Sequence, residues 1–145
     1  MPFFDDQDRS GLRRLYLEAW RKACERRPLE PLENQIVGVI ELHPEYQAML
    51  ADHAAALDRD FAPEQGQTNP FLHMGLHLAV RDQVATDRPQ GVRAVYQRLA
   101  ARMDDRHELE HRMMDRLAEA LWQAQRSGRP PDEWAYLRSL RQLER

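Results

Sequence analysis

Proline sets the frame within which this chain can fold. Pro28 and Pro31, Pro44, Pro70, Pro89 and the Pro130-Pro131 pair each stop or kink a helix or open one. The ring removes an N–H donor and fixes φ at about −65°, so a helix interior rejects it and a first turn accepts it. Between these prolines apolar residues recur at spacings of three and four. No alternating Val/Ile/Thr/aromatic run appears that would predict a strand.

The spacing predicts a first helix over about 10–27, with Leu12, Leu15, Ala19 and Ala23 as its apolar stripe. A second is expected over about 32–42, where Leu32, Ile36, Val39 and Ile40 share a face. Pro44 ends or kinks it, and a third is expected over about 44–57 with Met49 and Leu50. The stretch 59–68, with Pro63 and Gly66, reads as a loop. Asn69-Pro70 pairs a cap residue with proline at the first helical position and opens a helix to about 86. A helix from about 89 carries Val92, Val95, Tyr96 and Leu99, and a break follows near 103–105. A long helix then reaches about 126 and stops at Ser127-Gly128. Beyond Pro130-Pro131 a short helix holds Trp134, Leu137 and Leu140. Short connections between amphipathic helices predict an all-α fold, an antiparallel helical bundle with additional short peripheral helices, as one domain over 1–145.

Composition narrows the class of function. At 42% apolar and 31% charged, 145 residues can bury a real core without a covalent staple. The single cysteine, Cys24, rules out an internal disulfide and fits a reducing cytoplasm. The acidic opening MPFFDDQDRSG is expected to carry no signal peptide, and the longest uncharged run, 65–80, is too short and polar to span a membrane. Net charge is −3 and the arginines alternate with acids, so no basic stripe exists for nucleic acid. Cys24, Ser10, Ser127 and Ser139 form no nucleophilic constellation, and the six glycines form no phosphate loop.

Histidine carries the strongest chemical signal. Four of six form two His-x-x-x-His pairs, His73/His77 in HMGLH and His107/His111 in HELEH. One helical turn separates the rings of each pair, so both leave their helix from one side. His73 and His77 share a face with Val80 and Val84, which predicts burial. On the long helix Met114, Leu117, Ala118 and Leu121 mark the core stripe, with His107 and His111 on its edge and Glu110 near its centre. A buried carboxylate needs a partner. A metal ion among imidazoles is one such partner, and Arg13 or Arg81 is another. His43 projects from the face of Leu32, Ile36, Val39 and Ile40 if the second helix reaches it, and a backbone hydrogen bond at the helix end is its plainer fate. His53, beside Asp52, is given no role. The candidate metal set is therefore His43, His73, His77, His107, Glu110 and His111, with iron as the expected ion and zinc as the alternative.

HELEH also fits the His-Glu-x-x-His pattern of zinc peptidases, with Glu108 as general base. No third ligand follows in the expected spacing and no strand is visible to align a peptide, so this reading ranks last. The paired histidines resemble the hemerythrin-like bundles, where His-x-x-x-His and His-x-x-x-Glu pairs hold two irons that bind oxygen. That resemblance implies a non-haem iron or di-iron centre serving oxygen or nitric oxide binding, redox sensing or iron handling. Position 47 is Gln47 where a second ligand after His43 would fall, and His111 to Asp115 is one residue short of the hemerythrin spacing. Those departures keep a mononuclear site open. Whole segments, LENQIVGVIELHPEYQAML, NPFLHMGLHLAVRDQ and HELEHRMMDRLAEALWQAQRSGRPPDEWAYLRSL, resemble domain-of-unknown-function family 1841 from about 29 to 140. That resemblance implies a compact unit and no particular chemistry. A competing reading is a helical protein-protein interaction module without metal, with Trp20, Trp122, Trp134 and Tyr136 lining a groove or a homodimer face.

Overall fold

The computed structural model describes residues 6–52 and 69–144. Among them there is no strand, and the class is all-α. The chain divides into two compact units, Met1–Met74 and Gly75–Arg145. The first holds α1 (Asp6–Cys24), α2 (Pro31–Glu41), a 3-10 turn (Pro44–Tyr46), α3 (Gln47–Ala51) and the opening of α4 (Pro70–Thr86). The second holds the rest of α4, then α5 (Val92–Arg102), α6 (Arg106–Ser127), α7 (Glu133–Arg141) and a closing 3-10 turn (Gln142–Glu144). No helix among the described residues is long and apolar enough to cross a membrane.

In the first unit α1 packs against α2 and α3, burying Leu17 and Ala19 in one core with Ile36, Val39, Ile40 and Leu50. The buried face of α1 differs from the expected stripe. Leu12 is 40% exposed, whereas Arg13 and Tyr16 are buried. The cause is Phe71 at the start of α4. The Arg13 guanidinium carbon lies 4.9 Å from the Phe71 ring centroid, and Tyr16 meets the ring edge-on at 5.9 Å. An arginine stem stacked this way buries as apolar surface, so a charge-based reading of the face fails. On α2 the same kind of exchange occurs. Leu32 is exposed and Glu33 is buried, because the Glu33 carboxylate accepts the Glu30 backbone N–H at 2.8 Å and pairs with Lys22 at 3.0 Å. The Glu30–Glu33 exchange is a capping box at the start of α2.

The third helix is shorter than its sequence expectation, with a 3-10 turn from Pro44 and then α3 only to Ala51. The remainder of that expected helix, His53 and the loop expected over 59–68 lie outside the described residues. The opening of α4 matches the expectation. Asn69 Oδ1 accepts the N–H groups of Phe71 and Leu72 at 3.0 and 3.3 Å.

In the second unit each helix also has a local cause. Asp87 Oδ1 accepts the Gly91 and Arg93 N–H groups, both at 3.1 Å, and so caps α5. Met103 is extended, and Asp105 then caps α6 by accepting the Glu108 N–H at 3.2 Å. Gly128 ends α6 at φ +68°, a left-handed position that a side chain disfavours. Asp132 caps α7 through the Ala135 N–H at 3.0 Å. The core gathers Val80 from α4, Val92, Val95 and Leu99 from α5, Leu109, Met113 and Leu117 from α6, and Leu140 from α7. Each such side chain contributes about 1.5–3 kcal/mol by leaving water. On α7 the inward places belong to Tyr136, Leu137 and Leu140. Tyr136 donates its hydroxyl to Gln83 at 2.6 Å, and Trp134, expected on that stripe, is 76% exposed.

Candidate metal centre

The first unit brings two of the histidines together. His43 follows α2 directly, its backbone N–H donating to the Ile40 carbonyl at 2.9 Å. Its ring is fully buried, with Nδ1 2.8 Å from the Val39 carbonyl oxygen. A carbonyl only accepts, so Nδ1 carries the proton and Nε2 presents its lone pair. That Nε2 lies 3.0 Å from Nε2 of His73, and the two rings meet edge-to-face at 4.8 Å. Tyr46 stacks on His43 at 5.4 Å and faces the edge of His73 at 5.9 Å. His73 donates its Nε2 proton across this gap. Two nitrogens bound to one ion at ~2.1 Å and at right angles stand roughly 3 Å apart, so the same pair also suits an ion.

The second unit gathers the other three. His77 is fully buried on α4, one turn after His73. Its ring centroid is 5.8 Å from that of His107 and 5.4 Å from that of His111, while His107 and His111 stand 4.1 Å apart on α6. Glu110 lies beside them. Its Oε1 accepts from His77 Nε2 at 2.8 Å and from Arg81 Nε at 3.0 Å, and its Oε2 accepts from the Tyr96 hydroxyl at 3.4 Å. Burial pushes the Glu110 carboxyl upward, but the hydrogen bonds from His77 and Arg81, with the Arg81 charge, outweigh it and hold its pKa at about 2. Glu110 is thus an ionised acceptor throughout the neutral range. Burial and the Glu110 charge together push the Tyr96 hydroxyl above its ordinary value.

All six expected site residues lie among the described residues, five of them in these two groups of rings and the sixth, Glu110, hydrogen-bonded to His77. Of the two partners weighed for Glu110, the arginine is present, and it is Arg81. Glu108, the base of the peptidase reading, points elsewhere. It is half-exposed and paired with Arg112 at 3.1 Å, one turn along α6. The helix-end carbonyl bond expected for His43 is present, to Val39, whereas two contributors escaped the sequence reading: Tyr46 and the Tyr96 hydroxyl. Arg81, which the sequence did offer as a partner for Glu110, follows His77 by one turn on the same face. Among the aromatics read as an interaction surface, Tyr136 is core, Trp20 is half-buried, and Trp122 and Trp134 are 50% and 76% exposed.

The family model described as "Domain of unknown function (DUF1841)" matches residues 8–142. No curated protein and no solved structure matches the chain.

Proposed function

The chain belongs to the DUF1841 family, a description that carries no chemistry, and from its own residues we propose that it binds a transition-metal ion. The observation that carries this reading is the pair of Nε2 atoms of His43 and His73, 3.0 Å apart in the first unit, with the rings of His77, His107 and His111 near one another in the second. A carboxylate on the second nitrogen of a ligating histidine is the usual outer partner of such a site.

Glu110 bears on nuclearity. Both of its oxygens are engaged by His77, Arg81 and Tyr96, so the carboxylate that a hemerythrin-like di-iron pair would use as a bridge is taken. An imidazole inner shell around a single iron or zinc ion is the better fit, and imidazole suits both metals. With iron, the work would be oxygen or nitric oxide binding, redox sensing or iron handling. With zinc, the protein would be a carrier or a structural site. One exposed cysteine and no disulfide fit the cytoplasm as its location.

Titration of the metal-free protein with zinc, and anaerobically with ferrous iron, against a chromophoric chelator tests this. We expect tight, near-stoichiometric binding that is lost in His77→Ala and His111→Ala. A parent protein that leaves all the metal on the chelator would remove the metal and leave the interaction reading, whose support is the exposed pair Trp122 and Trp134.

A further inference from the structure

We infer that the hollow formed by the end of α4, α5 and the start of α6 binds a small organic oxyanion, a carboxylate or a phosphate monoester carried on an apolar body.

The cavity measures about 520 Å³, within the range of about 300–1,000 Å³ that small-molecule sites occupy. Val84, Ala100 and Ala101 give it an apolar lining, Tyr96 adds an aromatic ring, and Arg93 and Arg106 bring two positive charges. No acidic side chain among the described residues lines it. The charge is local to this place, for α5 carries Arg93, Arg98 and Arg102 and no acid in a chain whose net charge is −3.

Both cations are left for a ligand. Arg93 Nε donates to the Val84 carbonyl at 3.0 Å and its Nη2 to the Ala85 carbonyl at 2.6 Å, which fixes the guanidinium at the end of α4. Its Nη1 has no acceptor, and its charge no carboxylate, among the described residues. The side chain of Arg106, the first residue of α6, has no ion-pair or hydrogen-bond partner among the described residues, and its charge acts on the Tyr96 hydroxyl. Glu110, which accepts from Tyr96, already has Arg81 as its counter-charge and does not line the cavity. Guanidinium forks match the paired oxygens of a carboxylate or phosphate, and the small alanines leave room for a hydrocarbon body beside them. A neutral ligand would leave both cations unanswered, and a bare inorganic ion would leave the apolar wall unused.

Proton–nitrogen NMR of the full chain tests this, at about 0.15 M salt so that diffuse charge attraction is screened. Benzoate and phenyl phosphate are the probes, with benzyl alcohol and inorganic phosphate as controls. At least one aryl anion should give saturable shifts of the Ala100 and Ala101 amides and the Arg93 and Arg106 Nε–H groups, with a dissociation constant on the order of 1 mM. The tighter of the two identifies the oxyanion. Each control should bind at least about 10-fold more weakly. Arg106→Gln should weaken the aryl anion by about 10-fold or more, and it should melt with the parent because the side chain bonds nothing in the fold. Arg112→Gln, outside the cavity lining and paired with Glu108, should bind as the parent does. No saturable shift from either aryl anion at about ten times that concentration would overturn the inference. So would benzyl alcohol binding as tightly as benzoate, inorganic phosphate as tightly as phenyl phosphate, or Arg106→Gln keeping the parent's affinity.

Discussion

Glu110 shows how a single buried charge is made tolerable. It sits 7% exposed on a face otherwise built from Leu109, Met113, Met114 and Leu117, and it survives there because three donors meet it. Glu110→Ala should therefore cost about 3 kcal/mol of stability in the metal-free protein, read by urea unfolding, because it leaves the buried His77 N–H without its acceptor. Glu33 is the counterpart in the first unit. The Glu30 backbone N–H, and then Lys22, hold its carboxyl below the ordinary value of 4.5. A carboxyl whose folded pKa lies below its unfolded one stabilises fully above the unfolded value. That contribution is lost as pH falls through the folded one. Glu33→Gln should thus melt below the parent at pH 7, and the gap should close on acidification below pH ~4.5. A gap that does not narrow at all as the pH falls below ~4.5 would mean that packing, and not the charge, is what the substitution removed.

Helix α4 decides where His73 and His77 go, and its opening depends on one cap. Asn69→Ala removes the acceptor for two backbone N–H groups and should cost about 1 kcal/mol by thermal unfolding. At the end of α6, Gly128→Ala forces a side chain into a left-handed turn at φ +68° and should cost about 1 kcal/mol too. These boundaries were legible in the sequence because caps and prolines act through neighbouring atoms only. Asn69-Pro70 and Ser127-Gly128 were each placed correctly on that ground. Faces were harder to read. Arg13, Glu33 and Tyr136 took inward places expected of Leu12, Leu32 and Trp134 because each found a partner remote in sequence: Phe71, Lys22 and Gln83. No periodicity encodes such a partner. The same limit applies at the candidate site. The burial of His77 and Glu110 could be read from their stripes, whereas the Tyr96 hydroxyl bond could not.

Taken whole, the chain is an all-α member of the DUF1841 family whose described residues form two compact units, each with its own buried histidine. The second unit's core should respond as close-packed cores do, with Leu109→Ala costing about 2–5 kcal/mol in denaturant unfolding. A polar cluster built into such an interior adds less to stability than an apolar one of equal size, which directs attention to chemistry as its reason. The most direct test is elemental analysis of full-length protein purified without an affinity tag or chelator, compared with His73→Ala and His111→Ala. The parent should carry iron or zinc near stoichiometry, and both variants should lose it. A metal-free parent whose melting temperature ignores added iron, zinc and chelator alike would contradict the metal-binding function.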